Sequence, residues 1–146
     1  MNSIKKIDYI SNWIKEYASS LSFQPASLVI GVSGGIDSAI TSALCAKTGF
    51  KTIAISMPIK QNLNQHDLSL KHLDWLKSNF DNVETKIIEL DKVFESFENT
   101  MRDFNNSLAF ANSRSRLRMV TLYQIAQANR GFVVGTGNKV EDFGVG

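Results

Sequence analysis

The run Gly31-Val32-Ser33-Gly34-Gly35-Ile36-Asp37-Ser38 gathers the residue types that hold a polyphosphate. Adjacent glycines let the backbone approach an anion where a Cβ would clash. Ser33 and Ser38 add hydroxyl donors, and Asp37 adds a carboxylate, a hard oxygen donor suited to a Mg²⁺ shared with phosphate. The loop lacks the lysine with which a P-loop holds a γ-phosphate, and it is too short for the dinucleotide pattern G-x-G-x-x-G. Pyrophosphate binding is the chemistry that fits. A serine-rich turn that merely caps a helix is the plainer reading, and the agreement of strand, turn and helix argues against it.

Two further stretches carry chemistry. In Gly135-Thr136-Gly137-Asn138-Lys139-Val140-Glu141-Asp142, Thr136 offers a hydroxyl and Glu141 a carboxylate five residues on. Asp37 and Glu141, from different loops, suit one Mg²⁺ completed by phosphate oxygens and water. Alone this stretch would read as a solvated loop, and a pyrophosphate cradle opposite it shifts the reading to function. The third stretch is Arg114-Ser115-Arg116-Leu117-Arg118-Met119. On a regular helix Arg114 and Arg118 share a face, and Arg116 points about 200° away from Arg118. All three therefore serve one ligand only if the helix begins inside the cluster. One arginine on an anion and another in a structural ion pair is the expectation, with Arg114 open between site and solvated surface.

The elements that must position these groups follow from periodicity. Ile7, Ile10, Ile14, Tyr17 and Leu21 mark an amphipathic helix over 4–21. Leu28-Val29-Ile30 is a buried strand running into the glycine loop, and a helix follows over 38–47, ended by Thr48-Gly49. The pattern continues with a strand at 52–57, a helix at 64–79 and a strand at 83–90. Next come a helix from Asp91, as its cap, to about Phe104, and a helix from about Ser113 to Asn129 with Gly131 as its left-handed terminator. Phe132-Val133-Val134-Gly135 is the fourth strand. This alternation predicts an α/β fold, a doubly wound parallel sheet with helices on both faces. Ligands of such sheets bind at the carboxyl ends of the strands, where the winding reverses. Ser33 and Thr136 would face that crevice from neighbouring strands.

The composition narrows the class. One domain over 1–146 is expected, since 146 residues suffice for a core, and 43% hydrophobic with 21% charged residues is ordinary for a soluble globule. A net charge of +2 gives no argument for nucleic acid or membrane, and no apolar stretch has transmembrane length. The N-terminus lacks the continuous apolar core of a secretory signal. Cys45 is the single cysteine, read as a buried bystander in a cytosolic protein. His66 and His72 fall on an expected surface helix and take no role. The helix at 117–128 carries so little polar surface that it is expected to be buried nearly all round, in a subunit interface or a monomer core.

Together these residues resemble the NAD synthetases, within the N-type ATP pyrophosphatases. The pattern S-G-G-x-D-S marks the superfamily and is shared with GMP synthetase, asparagine synthetase and tRNA-thiolating enzymes. The stretches at 112–119 and 135–142 are particular to NAD synthetase. The resemblance spans the whole chain and implies an adenine nucleotide alpha hydrolase-like fold, incomplete at its C-terminal end because family members continue well past Gly146. It implies that Gly31, Val32, Ser33, Gly34, Gly35, Ile36, Asp37, Ser38 and Thr136 bind ATP. Asp37 and Glu141 would bind Mg²⁺, Arg116 would bind deamido-NAD, and Arg118 would buttress the site. Backbone near Ala54 to Met57 would lie against adenine. Family members often place an arginine before Leu-Pro at the end of the second strand, where this chain has Ser56-Met57-Pro58.

The implied reaction has two steps. The nicotinate carboxylate attacks the α-phosphorus of ATP and releases pyrophosphate. Ammonia then displaces AMP and leaves the amide of NAD. No side-chain nucleophile is needed. Only one helix fits ahead of the loop, so no glutaminase domain is expected there and free ammonia is the implied donor. A cytoplasmic homodimer is also implied. The competing readings are another ATP pyrophosphatase, GMP synthetase-like or tRNA-thiolating, the latter disfavoured by one cysteine and near-neutral charge, and an inactive nucleotide-binding fragment.

Overall fold

The structure, a computed structural model, describes residues 2–60 and 63–138. Its elements are α1 (Ser3–Ser20), β1 (Ser27–Gly31), α2 (Ile36–Lys47), β2 (Thr52–Ser56), α3 (Leu63–Asn79), β3 (Val83–Ile87), α4 (Asp91–Thr100), a 3-10 turn (Arg102–Phe104), α5 (Ser107–Ala128) and β4 (Gly131–Val133). The strands form one parallel sheet in the order β3-β2-β1-β4. Winding runs outward from β1 through β2 to β3, and the chain then returns to place β4 on the other side of β1. The reversal falls between β1 and β4, as the sequence predicts.

Side-chain alternation along the central strands divides the core. Leu28, Ile30 and Ala54 meet Ile14 and Ala18 of α1, Leu44 and Cys45 of α2, and Leu73 and Leu76 of α3. Val29, Ile53 and Ile55 face the other way, onto Phe94 of α4 and Leu122 and Ala126 of α5. Both faces of β1 and β2 are thus covered, which is why these strands read as continuous apolar runs. No helix among the described residues is long and apolar enough to cross a membrane.

Several boundaries depart from expectation for identifiable reasons. α5 begins at Ser107 rather than near Ser113, because the Asn106 side chain accepts the Ala109 N–H at 2.9 Å and caps it. α4 stops at Thr100, four residues short of Phe104, and gives way to the 3-10 turn. Asp91 does not cap α4. It is the first residue of that helix, and its Oδ1 accepts the backbone N–H of Lys60 at 2.6 Å, where Lys60 holds a left-handed φ of 45°. Gly131 is not the terminator of α5: Arg130 takes the left-handed turn, at φ 50°, and Gly131 opens β4. Glycine is needed there for space, since a Cβ would lie 2.4 Å from Ser27 Oγ and 2.6 Å from its carbonyl oxygen.

Two helix faces are also more open than their periodicity implies. α1 buries Ile14 and Ala18 but leaves Ile7, Ile10 and Tyr17 exposed. α5 buries Leu122 and Ala126 and leaves Met119, Val120 and Tyr123 exposed, so it is not buried all round.

Candidate nucleotide site at the strand reversal

The loop between β1 and α2 is shaped by its own serines. Ser38 is buried, and its Oγ accepts the Ser33 N–H at 3.1 Å and donates to the Gly35 carbonyl at 3.0 Å. Ser33 Oγ accepts the Gly35 N–H at 3.2 Å and lies 3.1 Å from Ser38 Oγ. Two serines expected as ligand donors therefore hold the turn in shape, and they satisfy two of its amides. The N-terminus of α2 remains available: Gly35 is its N-cap and no side chain caps it. The first N–H groups of a helix have no partner within it, and the helix dipole makes that end positive. Gly34 sits at φ +90° with the α3 backbone against it, and a Cβ there would lie 2.4 Å from the Gln65 carbonyl oxygen. This turn requires glycine.

The loop opens on a cleft of about 500 Å³. One wall is Gly31 to Ser33 with Gly35 and Ser38, and Thr136 after β4 joins it, so the expected juxtaposition of the two motifs is present. α5 contributes Ser115, Arg118, Met119 and Leu122 to the lining. Met57 and Ile59, just past β2, give the cleft apolar surface of the kind that accepts a base. The Met57 carbonyl is already engaged by Arg118 Nε at 3.0 Å.

Asp37 stands in the first turn of α2, and its Oδ2 accepts a hydrogen bond from Asn138 Nδ2 at 2.9 Å. That bond ties the β1–α2 loop to the loop after β4, across the reversal. Asn138 received no role from the sequence, although its place two residues after Thr136 in a strand-end loop was the available signal. Asp37 forms no ion pair with any described residue. A hard oxygen donor with one oxygen anchored and no ion pair among the described residues fits Mg²⁺. Glu141, the second expected ligand, lies outside the described residues. Among the described residues no group of three His, Cys, Asp or Glu is gathered in a way that could hold a metal.

The three arginines diverge, as helical spacing requires. Arg114 lies 5.6 Å from the centre of the Phe94 ring, within an aromatic cluster with Phe97 and Phe110. Its structural contact is thus with a ring face, where an ion pair was expected for one of the three. Arg118 lines the cleft at the strand reversal. Arg116 is exposed and lines a separate groove with Met119, Val120, Tyr123, Gln124 and Gln127. Met119 borders both hollows, so they adjoin across one side chain.

Two other groups are settled by burial. The Cys45 thiol is pushed up to about 12, chiefly by burial, and is no nucleophile at neutral pH. His72 is half-buried rather than on the surface. Its Nε2 lies 2.8 Å from Ser42 Oγ and its ring stacks on Trp75, and burial holds its pKa below the usual histidine value.

Comparison with known proteins places this geometry. The family profile described as NAD synthase matches residues 6–146. The chain is 35% identical over 137 residues to the NH(3)-dependent NAD(+) synthetase of Mesoplasma florum, covering 90% of this chain and 53% of that protein. It is 33% identical over 147 residues to the enzyme of that name from Finegoldia magna, covering 100% of this chain and 58% of the relative. Among solved structures, the NH3-dependent NAD synthetase from Campylobacter jejuni in complex with the nitrate ion superposes with a TM-score of 0.84 at 29% identity, covering 100% of this chain and 62% of that one. The NMN synthetase from Francisella tularensis superposes with a TM-score of 0.83 at 31% identity, covering 97% of this chain and 57% of that one. The chain spans little more than half the length of the curated relatives it matches.

Proposed function

This chain belongs to the NAD synthase family, and on that premise we propose that it amidates deamido-NAD to NAD with ATP and ammonia. The observation that carries the reading is the juxtaposition at the β1/β4 reversal. The glycine turn and the uncapped start of α2 line one cleft there with Thr136, and the anchored Asp37 carboxylate stands in the first turn of that same helix.

In this reading residues 1–146 are part of a single ATP pyrophosphatase domain. The loop Gly31–Ser38 receives the phosphates of ATP through the first amides of α2, and Thr136 approaches from the end of β4, the strand beside β1. Asp37, with Glu141, holds Mg²⁺, which supplies charge neutralisation on the phosphates when bound. Asn138 keeps the Asp37 carboxylate turned toward the phosphates. The nicotinate carboxylate attacks the α-phosphorus, the α–β bond breaks, and pyrophosphate leaves. Ammonia then attacks the acyl carbon and AMP departs with the electron pair of the broken C–O bond. A carboxylate is a poor acyl donor, and exchanging its oxide for a phosphate leaving group removes that barrier. The protein's task is to hold two anions together and to stabilise developing charge, with no side-chain nucleophile.

Arg116 is the proposed contact for the dinucleotide, in the groove that adjoins the cleft across Met119. That adjoining groove favours a dinucleotide over a mononucleotide acceptor. The exposed apolar residues beside Arg116 support a homodimer, and the composition supports a cytoplasmic protein without nucleic-acid or membrane partners. Arg116→Ala is expected to lower deamido-NAD affinity about tenfold, roughly the loss of one charge-assisted contact, with ATP affinity unchanged. Titration of each ligand separately checks this, and equal losses for both would make Arg116 structural.

The function itself is tested by incubating the chain with ATP, Mg²⁺, ammonium and deamido-NAD, with nicotinate mononucleotide in a parallel arm. AMP, pyrophosphate and NAD are the expected products. ADP and phosphate would refute cleavage between the α and β phosphates. Turnover of the mononucleotide alone would shift the reading to an NMN synthetase. Pyrophosphate release that requires tRNA would favour a thiolating enzyme, and ATP binding without turnover would favour a nucleotide-binding fragment.

A further inference from the structure

We infer that Arg118 grips the phosphates of the nucleotide from α5, in the cleft that the start of α2 also lines, and is a principal source of a preference for ATP over adenosine. The inference rests on the nucleotide reading of the cleft and adds to it a phosphate contact from α5.

The geometry divides the guanidinium into two parts. Nε donates to the Met57 carbonyl at 3.0 Å, which fixes the side chain against the end of β2. A guanidinium has five N–H donors in a rigid fork, so four remain on the two terminal nitrogens. Arg118 lines the same cleft as Ser33, Gly35, Ser38 and Thr136, and it is half-buried. No carboxylate among the described residues lies within ion-pair distance of it. The other cation on the cleft wall among the described residues, Lys60, is already held by Glu98 at 2.5 Å.

A half-buried cation without a counter-ion is costly, and a bound anion relieves that cost. The strain is visible in Arg118 itself: burial, and then the nearby charge of Arg114, push its pKa below the usual arginine value. Arg114 lies over the Phe94 ring and does not line this cleft. Arg116 opens on the neighbouring groove instead. A planar fork pinned at Nε presents its terminal edge to a phosphate without losing much further freedom. A strut between α5 and β2 would need only the Nε bond and leaves the terminal nitrogens without a purpose.

The test compares ligands that differ only in phosphate. Affinities of the chain for ATP with Mg²⁺ and for adenosine are measured by calorimetry, for wild type, Arg118→Gln and Arg118→Lys. Arg118→Gln is expected to lower ATP affinity by about 10–100-fold, the range for loss of a charged hydrogen-bonding partner, with adenosine affinity within about twofold of wild type. Arg118→Lys is expected to recover part of the ATP affinity, because it keeps the charge. A variant that loses ATP and adenosine affinity by the same factor makes Arg118 a strut and overturns the inference. So does a variant that keeps the full preference for ATP, and in that case the nucleotide site itself stands. If wild type binds ATP no better than adenosine, the nucleotide reading fails and this inference fails with it. Should Arg118→Gln not fold, the same ratio is read from Arg118→Lys, and an undiminished preference there together with no phosphate-dependent shift of the Arg118 Nε resonance in wild type overturns the inference.

Discussion

Asp37→Asn is expected to lower ATP affinity at saturating Mg²⁺ by on the order of 100-fold, the scale at which losses of metal-supporting groups fall. The change is close to isosteric. Its amide oxygen still accepts from Asn138 Nδ2, so the tie between the two loops survives. The chain should therefore melt within a few degrees of wild type, after losing only the favourable interaction of one carboxylate with the α2 dipole, about 0.3–1 kcal/mol. What disappears is the negative charge that recruits the metal. Calorimetric titrations over a series of Mg²⁺ concentrations separate the two effects. Wild type gains affinity as Mg²⁺ rises, and the variant stays at the metal-free level. A variant that retains the Mg²⁺ dependence would remove Asp37 from the metal site.

The second large effect is expected at Gly34. Gly34→Ala puts a Cβ within 2.4 Å of the Gln65 carbonyl oxygen while the backbone holds φ +90°. The obstacle is main chain, which no rotamer change relieves. Either the loop or the first turn of α3 must shift, at a cost of at least about 1–3 kcal/mol for the left-handed residue, before the collision is counted. ATP affinity should fall tenfold or more, because the N-terminus of α2 is aimed by this turn. Gly35→Ala is the control. Its φ is −85°, and the nearest neighbour of an added Cβ is Ser33 Oγ at 3.4 Å, so the cost should stay under about 1 kcal/mol. Urea unfolding of both variants gives the comparison. Equal destabilisation would contradict the steric account of the loop.

Much of this was legible in the chain. Continuous apolar runs identify β1 and β2 as central strands, and the strand–glycine turn–helix order locates the cleft. What periodicity misses are contacts made by distant residues. Asp91 has the right type and place for a helix cap, but a left-handed Lys60 from another loop claims its carboxylate. Gly131 follows a helix, yet its lack of a Cβ serves the approach of β1 rather than the end of α5. The arginine cluster illustrates both sides. Helical spacing correctly separates Arg116 from Arg118, but only tertiary packing reveals that a phenylalanine ring occupies Arg114. Asn138 is of the same kind, a residue whose purpose appears once the two loops are side by side.

Ser33 and Ser38 gain a second role in the folded chain. Their hydroxyls look like ligand donors in sequence, and in the folded chain they close a ring of hydrogen bonds with the Ser33 and Gly35 backbone. On the function proposed above, the helix end itself would be the anion site, with the serines as its scaffold. On that function the amides that begin α2 and Arg118 join these hydroxyls and Thr136 as candidate phosphate donors.

That assignment is tested most directly by titrating inorganic pyrophosphate into the isotopically labelled chain and following its backbone amide resonances. Saturable shifts concentrated at Gly35 to Ser38, with the Arg118 side chain moving in step, are the predicted result. Shifts confined to other surfaces, or an unresponsive β1–α2 loop at saturating ligand, would contradict the account.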